Sequence, residues 1–129
     1  MRHDPSYFRF AANLEGRING KSFYYRLPGD IVRKDDLFQT LYAALWLPVY
    51  FSFDWDALYD CLCDFSWMAD RKIVLIHDAL PRLPEAELRL YLLILRDAVR
   101  WWRMDDPHQL EVIFSERDRL RVEALLGGE

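Results

Sequence analysis

The amino-acid sequence predicts one α/β domain built on a small, three-stranded, mainly parallel sheet flanked by helices. Three observations carry this. "KIVLIH" (72–77) is a continuous apolar run, the pattern of a strand buried on both faces. Strand-like and helix-like stretches alternate along the chain, which favours parallel pairing through helical crossovers. With 129 residues, 52% hydrophobic and 16% aromatic, the chain is long enough for one real core and too short for two.

The elements follow in order. "MRHDPSYFRF" has no apolar h-region after its basic residue, so no secretory signal is expected. Residues 1–20 read as an N-terminal extension, with "YFRF" a strand or ordered extension and "INGK" (18–21) a turn. The domain itself is expected over 21–115, and 116–129 as a C-terminal helix or tail. "SFYYRL" (22–27) is a short aromatic strand ended by "PGD". From Lys34 to Trp46, the positions Leu37, Phe38, Leu41 and Leu45 have helical spacing, Asp35 and Asp36 sit in the favourable first turn, and Pro48 stops the helix. "VYFSF" (49–53) connects it to a second helix over 55–65, capped by Asp54. After "KIVLIH", "DALPRLP" leads into the longest helix, about 84–102, with Leu88, Leu92, Leu95 and Val99 facing inward. "LEVIFS" (110–115) is the third strand.

Composition excludes several classes of function. The apolar stretch "LYAALWLPVYF" (41–51) is broken by proline and falls well short of the roughly 20 residues of a membrane span. Cys61 and Cys63, one residue apart, point to nearly opposite sides of a helix and do not suit an internal disulfide, so a reducing cytoplasm fits. The net charge of −4 is unevenly placed: residues 35–70 hold seven aspartates and no Lys or Arg. The rest of the chain sets 17 basic against 14 acidic residues. Such an acidic segment repels phosphates and argues against nucleic acid as the ligand. It suits a cation or a basic protein.

The segment "DWDALYDCLCDF" (54–65) concentrates this charge. Asp56, Asp60 and Asp64 are spaced i, i+4, i+8, which on a helix places them on one face, opposite Leu58, Leu62 and Phe65. The ordinary reading is the solvated side of an amphipathic helix. Two observations weigh against it. Like-charge i, i+4 pairs destabilise a helix by a few tenths of a kcal/mol, and no basic residue lies nearby to relieve them. Tyr50, Phe51, Phe53, Trp55 and Tyr59 also crowd the approach, and aromatics beside charge characterise an interface.

A metal would have Asp54, Asp56 and Asp60 as candidate ligands, but no Gly-rich phosphate loop accompanies them. The histidines at 3, 77 and 108 lack ligand spacing, and no Ser/His/Asp order or nucleophile elbow appears. "HD" at 77–78 is a lone dipeptide, and His77 reads as a strand-end residue with a local hydrogen bond. The expectation is therefore no metal, no cofactor and no catalysis.

"DLFQTLYAALWLPVYFSFDWDALYDCL" (36–62) resembles, without a gap, the barstar family of intracellular ribonuclease inhibitors. The shared features are a helix ending in Leu-x-Leu-Pro, then x-Tyr-aromatic, then Asp-Ala-Leu-aromatic-Asp-Cys-Leu at Asp56 to Leu62. The resemblance implies a three-layer barstar-like fold. It also implies a function: the loop and acidic helix cover the active site of a basic ribonuclease, with carboxylates standing where RNA phosphates bind. Carried over, Asp56 and Asp60 are the two helix aspartates, Ala57 lies in the same motif, Tyr50 and Phe51 are the loop aromatics, and Tyr59 is the aromatic between the aspartates. Asp97, in "LRDAV", matches an acidic residue of the long helix, and Cys61 a mostly buried family cysteine. Where the family has Gly-x-Asn, this chain has Ser52, Phe53 and Asp54; losing the Gly bears on the loop backbone, and Asp54 adds a charge.

Two functions stay open on the sequence. One is a ribonuclease inhibitor or immunity protein, a monomer or half of a 1:1 complex. The other is a barstar-like protein-interaction domain with a non-nuclease partner, or with a structural or regulatory role.

Overall fold

The computed structural model describes residues 7–12 and 22–127. The turn expected at "INGK" lies outside the described residues. In order, the elements are β1 (Arg9–Ala11), β2 (Ser22–Leu27), α1 (Lys34–Leu45), α2 (Trp55–Leu62), β3 (Lys72–His77), α3 (Glu85–Trp101), β4 (Gln109–Ser115), a 3₁₀ turn (Glu116–Asp118) and α4 (Arg119–Leu126).

The sheet has the order β1-β4-β3-β2 with every pairing parallel. It has four strands, which corrects the expected three. The fourth is the N-terminal Arg9–Ala11, which pairs with Ile113–Ser115 of β4. The preceding Phe8 is almost fully buried, with its ring 5.0 Å from Phe114. The Arg9 guanidinium lies 2.7 Å from Glu111. Three residues are too few to show a period of two, so these tertiary contacts, rather than any local pattern, make the strand.

β3 lies between β2 and β4 and, as its composition requires, is buried from Ile73 through His77. β4 alternates, with Leu110, Val112 and Phe114 buried. These three join Ile73 and Leu75 in one core with buried side chains from all four helices.

α1 buries Leu37, Phe38, Leu41 and Leu45, the predicted stripe. Its end precedes Pro48: Trp46 adopts the left-handed conformation at φ 51°, and the Leu47 N–H returns to the Tyr42 carbonyl at 3.1 Å. Proline then prevents the helix from resuming. In α3 the stripe holds for Leu88, Leu92 and Leu95, while Val99 is half-buried.

Tryptophans fix the ends of α1 and α2 to this frame. Trp102 donates from Nε1 to the Leu62 carbonyl at 3.0 Å, satisfying one orphan acceptor at the end of α2. Trp67 does the same for the Leu45 carbonyl of α1, at 2.8 Å. Trp55 packs edge-on against Phe38, 4.8 Å between centroids. The loop between α1 and α2 is thus anchored at both ends.

Candidate functional site

α2 begins as its sequence requires. Asp54 is extended at the N-cap and its Oδ1 accepts from the Ala57 N–H at 2.8 Å, while Oδ2 accepts from the Ser52 hydroxyl at 2.8 Å. The Ala57 N–H, followed by the Ser52 hydroxyl, holds this carboxyl below the usual range. Asp54 therefore adds its charge to the site while its oxygens organise the loop. Replacing it with Ala removes the cap, and we expect α2 to fray and the chemical denaturation midpoint to fall. An unchanged midpoint would show that the cap is dispensable.

Asp56 and Asp60 stand one turn apart, both exposed, and neither carboxylate makes an ion pair or hydrogen bond with any of the described residues. Tyr59 lies between them, half-buried. Its hydroxyl is pushed up to about 12, first by its hydrogen bond to the Cys63 sulfur, then by burial, with the charges of Asp97 and Asp60 adding. The Cys63 thiol feels the same two carboxylates and, mainly through burial, rises to about 11. The charges of Asp97 of α3 and of Asp60 thus act on the same two groups. The charge of Asp97 is partly met by its neighbour, because Arg96 Nε donates to Asp97 Oδ1 at 3.1 Å. Cys61 and Cys63 are free thiols, and Cys61 is fully buried.

Asp64 lies just beyond the helix and is tied to the loop before it. α2 ends at Leu62, not at 65, because Phe65 turns into the core with φ 51°. Asp64 comes after the last residue of α2, and its carboxylate accepts a hydrogen bond from the Tyr50 hydroxyl. That bond holds Asp64 below the ordinary range. Tyr50 is raised, by partial burial first and by Asp64 second. The loop is latched to the turn after α2 by two residues whose sequence positions suggest separate contributions.

Phe51 and Ala57 lie beneath this surface. Phe51 is 3% exposed and packs on Phe38, and Ala57 is 7% exposed. They form the floor, while Tyr50, at 50% exposure, forms the rim. Ser52 takes the family glycine's place without a positive φ, so that substitution is not strained there. Phe53 carries the left-handed conformation instead, at φ 57°.

Among the described residues, no group of His, Cys, Asp or Glu is arranged to hold a metal ion, and no helix is long and apolar enough to cross a membrane. The described residues thus form a parallel α/β domain with an acidic helix and a loop edged by exposed aromatics.

The family model described as Barstar (barnase inhibitor) matches residues 26–115. The chain belongs to the barstar family, whose members are inhibitors rather than enzymes and act by binding a ribonuclease. Comparison with curated proteins and with solved structures returned no match.

Proposed function

We propose that this protein inhibits a basic ribonuclease by laying the loop 49–54 and helix α2 over the enzyme's active site. The observation that carries this reading is the pair Asp56 and Asp60: exposed, one turn apart, and without a cationic partner among the described residues. An isolated domain gains nothing from leaving them so, since like charges at that spacing destabilise the helix. A ribonuclease active site supplies the missing cations, those that hold RNA phosphates. Asp54 and Asp97 extend the negative field on either side, and Tyr50 and Tyr59 supply aromatic contact area. Phe51 and Ala57 hold the surface in shape from below. The complex is 1:1, and its place is the reducing cytoplasm, where the two thiols stay free.

Association is expected to be fast and salt-sensitive. Seven aspartates between 35 and 70, with no Lys or Arg among them, steer a basic partner. That steering fades as the screening length falls to about 3 Å at 1 M salt. Stopped-flow mixing across a salt series should place most of the ionic-strength dependence in kon. A flat kon would mean that the acidic surface is not where the partner docks.

A further inference from the structure

The acidic helix is bordered by an aromatic pair, Phe53 of the docking loop and Tyr42 of α1, to which the contacts of Asp56 and Asp60 assign no role. Phe53 is held in the left-handed region at φ 57°, a conformation that costs a bulky residue free energy unless its surroundings compensate. The compensation is aromatic. Its ring lies 4.7 Å from Phe51 and 5.0 Å from Tyr42 of α1. Phe51 is buried, but Phe53 and Tyr42 remain 37% and 38% exposed. The strained turn thus displays a ring at the surface instead of hiding it.

Exposed carboxylates flank this pair in the sequence and on the face of α1. Phe53 is followed directly by Asp54, whose carboxylate stays ionised while capping α2. On α1, Asp35 lies on the same face as Tyr42, seven residues before it, and is exposed. Among the described residues the cations set over aromatic rings lie at Tyr7 and Phe10, not at Tyr42 or Phe53, and aromatic faces beside carboxylates are complementary to a guanidinium or ammonium group. They are also continuous with the inhibitory surface, since Phe53 lies between Ser52 and Asp54.

We propose that Tyr42 and Phe53 form a shelf that receives a cationic side chain, an arginine or lysine on the rim of the ribonuclease outside its catalytic cleft, and that this shelf selects among ribonucleases. The inference rests on the inhibitor reading above. The active-site cations that meet Asp56 and Asp60 are common to such enzymes, so they do not discriminate. A rim cation differs between enzymes and can.

The test uses the full chain and, as probes, barnase and a panel of small basic ribonucleases, each catalytically inactivated, in calorimetric titrations. Phe53→Leu and Tyr42→Leu keep apolar area and remove the π face, whereas Tyr42→Phe keeps the face. Each Leu variant should weaken the tightest complex by about 5- to 30-fold, with Tyr42→Phe close to wild type. Tyr42 sits on a helix, so its Leu variant decides the matter if Phe53→Leu does not fold. Wild-type affinity in both Leu variants would overturn the shelf while an intact Asp60 dependence left the inhibitor reading standing. Failure of the wild-type chain to bind any probe would overturn both.

Discussion

Asp60→Ala should remove more ribonuclease inhibition than any other single substitution, with Asp56→Ala second. Both carboxylates are exposed in the free protein, so losing either disturbs little in the isolated domain. Relief of the i, i+4 repulsion even favours the helix slightly, by a few tenths of a kcal/mol. In the complex the situation reverses. Cationic groups of the enzyme are desolvated against these oxygens, and truncating one partner leaves the other buried and unpaired. Such truncations generally cost about 2–5 kcal/mol, a general range to which the barnase–barstar pair itself contributes. Asp60 is ranked first because the charge of Asp97 reaches the same groups, Tyr59 and Cys63, as its own. Inhibition titrations of wild type and the two variants give the ranking directly. An Asp60→Ala protein that inhibits as wild type does would exclude this docking geometry.

The second large effect lies in the core and concerns acid stability. His77 is fully buried at the end of β3, stacked on Phe114 with 4.5 Å between centroids. Its Nε2 lies 2.8 Å from the Tyr91 hydroxyl and its Nδ1 lies 3.3 Å from the Ile113 carbonyl. A carbonyl only accepts, so the neutral ring carries its proton on Nδ1 and accepts from Tyr91 at Nε2. Protonation would turn that acceptor into a donor and leave the Tyr91 proton without its partner. Burial pushes the imidazole down to about 4, against weaker opposing effects from the Ile113 carbonyl and the Asp78 charge.

The sign follows from which state binds the proton. Between about 4 and the unfolded value of 6.5 the unfolded chain is protonated at this site and the folded chain is not. Stability from His77 is therefore fully present above 6.5 and is lost as pH falls toward 4, by about 3 kcal/mol. Asp54 and Asp64, whose carboxyls are held low, lose their contributions only at more acidic pH, below the unfolded carboxylate value. The two windows separate. Denaturation of wild type and His77→Gln from pH 7 to pH 4 should show the slope in wild type and its loss in the variant. Equal slopes would assign the acid sensitivity elsewhere.

What the sequence made legible was whatever repeats locally. The stripe Leu37, Phe38, Leu41 and Leu45 marked α1, and the unbroken apolar run marked β3 as an inner strand. The cap at Asp54 and the pair Asp56 and Asp60 followed from residue type and spacing. Long-range contacts were the part that local pattern could not carry. β1 exists because Phe8 and Phe10 meet Phe114, over a hundred residues later. The acidic helix stops at Leu62 and Phe65 is drawn into the core, where it packs against Trp67 and Trp102. Helical periodicity alone does not show where such a stop falls. The Tyr50–Asp64 latch joins residues 14 positions apart and is another contact of this kind. The Arg96–Asp97 pair, by contrast, is adjacent in the chain and was there to be read.

The central claim is that the acidic surface occupies a ribonuclease active site, and steady-state inhibition as a function of RNA concentration tests it most directly. Occlusion predicts loss of activity that titrates to one inhibitor per enzyme and is relieved competitively by RNA. A tight complex in which the ribonuclease keeps its activity, or in which RNA and the protein bind together, would contradict it.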